Sequence, residues 1–98
     1  MLIEVTQQHI DSGRQCNTGT CPVGLALTDK LPGARSLGVW LDRHGDPQAV
    51  FRGVIDLRRA LPATAGSFID AFDTHGPTAV QPFTFILPAM PEWLTREG

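Results

Sequence analysis

Two cysteines, the only two in the chain, bracket a short polar loop. Cys16 and Cys21 are separated by the four residues N-T-G-T, and His9 precedes them closely in the sequence. Zinc takes about four sulfur or nitrogen ligands in a tetrahedron, so these three side chains are candidate metal ligands. The fourth ligand would have to come from His44 or His75. The alternative is that both thiols pack the loop onto the core, so the expected cofactor is none, with zinc as the alternative.

A second chemistry that this stretch suggests is that of a thiol nucleophile. Cys21 stands directly before Pro22, where a helix can begin, and a helix N-terminus favours the thiolate. His9 would be the base, but no carboxylate or carboxamide that orients it is evident in the sequence. A reversible disulfide between Cys16 and Cys21 is a third option. No catalytic residue is assigned, and the chain is expected not to be an enzyme.

Partner binding is the remaining use of the loop. On the alternation of its strand, Trp40 points away from the apolar face, and tryptophan is frequent at binding hot spots. Arg58 and Arg59 could contact phosphate, but a net charge of −2 and a pI of about 5.8 argue against a nucleic-acid binder. The side chains predicted to contact a partner are Arg14, Asn17, Thr18, Trp40, Arg52 and Trp93.

Two helices follow from the apolar spacing. Val23, Leu27 and Leu31 recur every four residues after Pro22, which predicts a helix that stops at Pro32-Gly33. From Leu61-Pro62 onward, a second apolar stripe ends at the Gly76-Pro77 stop; its members are Leu61, Ala65, Phe68, Ile69 and Phe72. A shorter helical turn is predicted for residues 7–12, with Thr6 as its N-cap.

The strands are predicted from alternation. Residues 36–42 place Leu37, Val39 and Leu41 on one face. Residues 49–57 place Ala49, Phe51, Ile55 and Leu57 on one face, so the two segments form an antiparallel hairpin. Short strands are predicted at residues 2–5 and 83–87.

The resulting order is β-α-α-β-β-α-β, which indicates an α+β fold. A small antiparallel sheet of three to four strands would carry two helices on one face. The 98 residues correspond to one domain, predicted to span residues 1–88, with a C-terminal tail at residues 89–98. Met90, Trp93 and Leu94 would allow this tail to dock on the body, with Trp93 over Trp40, or on a partner.

The composition is that of an ordinary globular protein. With 42% hydrophobic and 18% charged residues, the chain can bury a core, and disorder is excluded. No apolar run approaches the roughly 20 residues of a membrane span, and the first residues lack the features of a signal peptide. A cytoplasmic location is therefore expected, which is the host cytoplasm if a phage encodes the protein.

Four segments carry a resemblance to a known group. They are residues 5–10 (V-T-Q-Q-H-I), 21–27 (C-P-V-G-L-A-L), 68–73 (F-I-D-A-F-D) and 82–85 (P-F-T-F). Together they resemble small proteins of bacteriophages and actinobacteria that are functionally unassigned. In that group the cysteines often sit closer together than Cys16 and Cys21 do, which weakens the metal interpretation.

The resemblance implies a phage or prophage accessory protein. Such a protein would bind a host protein without catalysis, and inhibition of a host defence system such as a CRISPR effector is one such role. The alternatives are a zinc-stabilised or thiol-based regulatory module or small enzyme at His9, Cys16 and Cys21, and a nucleic-acid-binding protein. A homodimer through the hairpin sheet is an additional option, because it would cover Trp40.

Overall fold

The computed structural model describes residues 1–96 and confirms the α+β class. Five strands and four α-helices follow in the order β-α-α-β-β-β-α-β-α, with one 3₁₀ turn at Pro77–Ala79. The strands are β1 (Leu2–Val5), β2 (Ser36–Leu41), β3 (Pro47–Arg52), β4 (Leu57–Ala60) and β5 (Phe83–Ile86). The helices are α1 (Gln7–Ser12), α2 (Pro22–Lys30), α3 (Ala63–His75) and α4 (Glu92–Thr95).

The strands form two antiparallel sheets instead of one sheet of three to four strands. β1 pairs with β5, and β2, β3 and β4 pair in that order. The first sheet joins distant parts of the chain: the amino group of Met1 donates to the carbonyl oxygen of Leu87 at 2.6 Å, and Leu87 N–H donates back to Met1 at 2.9 Å.

The β2–β3 hairpin has the predicted faces. Leu37 pairs with Phe51 and Val39 pairs with Ala49, so the apolar residues of both strands share the core side. In the turn, the carboxylate of Asp42 accepts hydrogen bonds from the backbone N–H groups of Asp46 and His44, at 3.0 and 2.9 Å. These bonds, led by the one from Asp46, hold the pKa of Asp42 below its usual value.

The predicted strand at residues 49–57 is wrong in its second half. β3 ends at Arg52, the chain turns through Gly53, Val54 and Ile55, and β4 runs back along β3. Ile55, predicted to share the buried face with Phe51, is 59% exposed, and Val54 is 86% exposed. Glycine weakens a strand because it offers no side chain to pack, and this one stands where the strand breaks.

The helices bury the predicted stripes. In α2, Val23 and Leu27 are fully buried, and Leu31 closes the helix by donating its N–H to Leu27. α3 begins at Ala63, two residues later than the Leu61-Pro62 start, and its buried residues are Ala65, Gly66, Phe68, Ile69 and Phe72. Thr6 caps α1 as predicted, since its hydroxyl accepts a hydrogen bond from His9 N–H at 3.3 Å.

The segment after β5 packs on the body of the protein. Leu94 in α4 is fully buried, and its carbonyl oxygen accepts a hydrogen bond from Gly33 N–H at 2.9 Å. The ring of Trp93 lies against Gly53, in the space that a side chain would occupy there. Residues 97 and 98 of the predicted tail lie outside the described residues. Within residues 1–96, no helix is both long and apolar enough to cross a membrane.

Candidate protein-interaction surface

His9 is occupied by structural hydrogen bonds. Its Nδ1 accepts from the backbone N–H of Thr6 at 3.0 Å, and its Nε2 lies 2.6 Å from Oδ2 of Asp29. Because Nδ1 accepts, the ring proton is on Nε2 and is donated to Asp29. The side chain therefore links α1 to α2, and neither nitrogen is free to act as a base for Cys21, as the sequence suggested.

The proposed zinc ligands are not assembled. Residues 1–96 contain no group of three or more His, Cys, Asp or Glu side chains placed to hold a metal ion. Cys16 and Cys21 are both free thiols, the first exposed and the second buried. The geometry of the described chain thus gives the set of His9, Cys16 and Cys21 no support as a metal centre.

Cys21 caps a helix through its sulfur. Its sulfur accepts a hydrogen bond from Gly24 N–H at 3.4 Å at the start of α2. Burial raises the pKa of the Cys21 thiol, and this effect exceeds the lowering by the hydrogen bond from Gly24. The expectation that the helix N-terminus lowers this pKa is therefore wrong, because the effect of desolvation exceeds that of the hydrogen bonds at the helix N-terminus.

We expect the two thiols to differ strongly in reactivity. In the folded protein at neutral pH, iodoacetamide should modify exposed Cys16, whereas Cys21 should react only after unfolding, as followed by mass spectrometry. Folding raises the pKa of Cys21, so the unfolded chain loses the proton first above the ordinary value of 9.0. The free energy of unfolding should fall from that pH upward, and Cys21→Ala should remove this dependence. Equal alkylation rates of both thiols would contradict the assignment.

The loop between the cysteines is held on both sides. Oδ1 of Asn17 accepts from Gly19 and Thr20 N–H groups, both at 3.0 Å, which forms a tight turn. Cys16, with a φ of 54°, donates its N–H to Oδ1 of Asp73 at 2.9 Å. Nothing in the local sequence around Asp73 indicates that it anchors a loop 57 residues away, so this residue could not be found from sequence.

The same loop covers one edge of the three-stranded sheet. Val39 in β2 donates its N–H to the carbonyl oxygen of Thr18 at 2.7 Å. Between loop and sheet lies a cleft of about 250 Å³, lined by Cys16, Asn17, Thr18, Cys21, Val39, Trp40, Leu41, Ile69 and Asp73. Three of the predicted contact residues, Asn17, Thr18 and Trp40, are thus brought together.

The other predicted contact residues lie elsewhere. Arg52 pairs with Ser36, at the end of the hairpin away from its turn, and it forms a loose 4.0 Å ion pair with Asp56. Trp93 packs beside this end, against Gly53. Since Ser36 and Trp40 are four residues apart on β2, the Trp93 contact lies about 13 Å from Trp40. Trp93 therefore does not dock over Trp40 as suggested. Arg14 is exposed at the base of the loop.

The outer face of the sheet has its own small apolar centre. Val50, which pairs with Gly38 on one side and Arg58 on the other, is only 8% exposed there. The guanidinium of Arg58 lies 5.4 Å from the ring centroid of Trp40, a cation–π contact. Trp40 is consequently half-buried by its own sheet. Sequence alone did not indicate this contact, because β4 was not predicted.

The opposite edge of this sheet, β4, is uncovered. β4 is the last strand in the order β2-β3-β4, and Arg58 and Ala60 are exposed. The turn that leads into β4 presents Val54 and Ile55. Val54 is the most exposed large apolar residue among residues 1–96. We refer to Val54, Ile55, Arg58, Arg59 and Ala60 as the β4 surface. The dense run R-G-V-I-D-L-R-R could have indicated it.

Comparison of the chain with family models, with curated proteins and with solved structures finds no match.

Proposed function

We propose that this protein acts by binding another protein through the β4 surface, without catalysis. The observation that carries the proposal is the exposure of Val54 and Ile55, at 86% and 59%, beside a strand edge that the fold leaves uncovered. Apolar side chains, an open backbone edge and arginine on one surface are the elements from which protein interfaces are built.

The energetic gain from covering this turn is substantial. Full burial of a valine or isoleucine side chain contributes about 1.5–3 kcal/mol. Two such residues would offset part of the 4–15 kcal/mol, roughly, that association costs in lost freedom. The remainder would come from backbone pairing along β4 and from its arginines. The exposed pair Leu2 and Ile86 on the other sheet has no arginine in its two strands.

The partner is a different protein in preference to a second copy of this chain. In a symmetric antiparallel pairing of two copies centred on β4, Arg58 or Arg59 would lie opposite the same residue of the other copy. Like charges directly across a strand pair are destabilising. The resemblance to phage proteins implies a host protein as partner, and inhibition of a host defence complex would operate through such binding.

Charged substitutions in the turn provide the test. We expect Val54→Asp with Ile55→Asp to reduce capture of the partner from an actinobacterial host lysate by about tenfold or more, since carboxylates cannot be buried unpaired. The matched control is Leu2→Asp with Ile86→Asp, which changes two exposed apolar residues on the other sheet and should leave capture intact. Captured proteins are quantified by mass spectrometry, and circular dichroism verifies the fold. Equal capture by both double variants, or no specific capture by the wild type, would contradict the proposal.

A further inference from the structure

We infer that the partner presents an extended, acidic segment that pairs with β4 as the fourth strand of the sheet. This inference depends on the proposed function and specifies the chemistry of its partner. Three features of the β4 surface support it: the direction of its backbone groups, its charge, and its exposed turn.

The backbone of β4 has hydrogen-bonding groups directed away from the sheet. Leu61 N–H donates to the carbonyl oxygen of Pro47 at 2.9 Å. In the same register, Leu57 lies opposite Phe51, and Arg59 lies opposite Ala49. In antiparallel pairs alternate residues exchange hydrogen bonds, so the N–H and C=O groups of Arg58 and Ala60 point outward. No other strand of the described chain pairs with this edge. The β2 edge, by contrast, is contacted by Thr18.

The charge of this region differs in sign from that of the chain. Residues 47–60 carry three arginines and one aspartate, a net charge of +2, whereas the whole chain has a net charge of −2. Arg35 adds a fourth guanidinium at the turn, where it donates to the carbonyl oxygen of Gly53 at 3.1 Å. An incoming strand with carboxylates would therefore meet complementary charge along β4.

The two arginines of β4 are already positioned. Arg58 is held over the ring of Trp40, and Nη1 of Arg59 donates to the carbonyl oxygen of Arg58 at 2.9 Å. That carbonyl oxygen is one of the outward groups, so a strand that pairs with it displaces Arg59. The released guanidinium is then free to bind a carboxylate on the added strand, where opposite residues are about 5 Å apart.

The exposed turn favours a peptide over a nucleic acid. Phosphates would engage the arginines but would leave Val54 and Ile55 and the outward amides without a partner. Arg58 and Arg59 lie on opposite faces of β4. An extended peptide with acidic residues on both of its faces and apolar residues beside the turn supplies all three contacts: backbone hydrogen bonds, carboxylates for Arg58 and Arg59, and apolar cover for the turn.

Fluorescently labelled peptide pools test the inference directly. One pool carries adjacent pairs of Asp or Glu separated by pairs of Val or Thr, a second replaces the acidic residues with Lys, and a third is the acidic pool with every backbone amide N-methylated. We expect the acidic pool to bind the intact protein in fluorescence anisotropy, at least about tenfold more tightly than the other two. Binding should weaken with salt. Arg58→Glu with Arg59→Glu should lower affinity about tenfold or more, whereas Lys30→Glu with Arg43→Glu, which changes net charge equally on exposed residues elsewhere, should not.

Several results would overturn the inference. These are absence of binding by the acidic pool, equal binding of the lysine pool, undiminished binding of the N-methylated pool, and equal losses in the two charge-reversed variants. Single-stranded DNA that binds more tightly than the acidic pool, and is lost in Arg58→Glu with Arg59→Glu, would assign the surface to nucleic acid. If lysate capture depends on Val54 and Ile55 while the acidic pool fails to bind, only the strand inference is overturned. If the Val54→Asp, Ile55→Asp variant captures as much partner as the wild type does, the proposed function is overturned.

Discussion

Replacing Phe51 by alanine is expected to lower the free energy of unfolding by about 3–5 kcal/mol. Phe51 is fully buried in β3, the central strand of the three-stranded sheet, between Leu37 of β2 and Leu57 of β4. Removal of the ring leaves a cavity that strands fixed on both sides cannot close. Small domains have a total stability of about 5–15 kcal/mol, so the variant should be close to unfolding.

Urea unfolding followed by circular dichroism measures this effect. The control is Ile86→Ala, which also truncates an apolar strand residue, but one that is 63% exposed. Its effect should stay within about 0.5 kcal/mol. A loss below about 1 kcal/mol for Phe51→Ala would show that β2, β3 and β4 do not pack closely around this ring.

Replacing Gly33 by alanine is expected to detach α4 and to cost about 3 kcal/mol. A Cβ at Gly33 would overlap the carbonyl oxygen of Trp93 and approach the Cα of Leu94 to 3.0 Å. Backbone atoms cannot rotate away as a side chain can, so α4 has to move. The cost combines the burial of Leu94, about 1.5–3 kcal/mol, with its hydrogen bond from Gly33, about 1 kcal/mol.

Trp93 itself reports on this detachment. In a Trp40→Phe background, fluorescence emission of the remaining tryptophan should shift to longer wavelength when its ring leaves Gly53 and enters water. Gly19→Ala is the matched control, because a Cβ there meets only ordinary contacts, the nearest at 3.7 Å. If Gly33→Ala leaves both emission and stability unchanged, α4 does not pack on the body in solution.

These two packing effects bear on the β4 surface. Phe51 anchors β3 in the core, and β4 pairs with β3. Trp93 packs against Gly53, where the exposed turn begins. The β4 surface is therefore supported by fully buried Phe51 and by half-buried Trp93. A binding edge of only four residues benefits from such support, because a preorganised strand loses less conformational freedom when a partner pairs with it.

Local sequence patterns predicted the elements whose apolar residues recur at a regular spacing. The alternation of Leu37, Val39 and Leu41 gave the buried side of β2, and the stripe of Val23, Leu27 and Leu31 gave the buried side of α2. Caps were equally readable: the hydroxyl of Thr6 and the position of Cys21 before Pro22 mark two helix starts. For each cap the partner group lies three residues away, so a short sequence window contains the whole interaction.

The candidate site was less predictable because its contacts are distant in sequence. Arg58 contacts Trp40 only because the chain turns at Gly53. The apolar alternation continues through Ile55 to Leu57, so the sequence pattern gave no sign of that turn. For a similar reason, the geometry gives the zinc and nucleophile hypotheses no support. They took His9 as a neighbour of the cysteines, whereas the fold directs it to Asp29, 20 residues further along the chain.

What the sequence determined by itself was the α+β class, the faces of the first hairpin and the stripes of the two longer helices, since all of these follow from short-range periodicity. Only the tertiary structure decided that the strands divide into two sheets, that burial raises the pKa of Cys21, and that the Cys16–Cys21 loop covers β2 while β4 stays open. The physical reason is that edge exposure and desolvation depend on which distant segments pack together. Sequence spacing alone does not specify those partners.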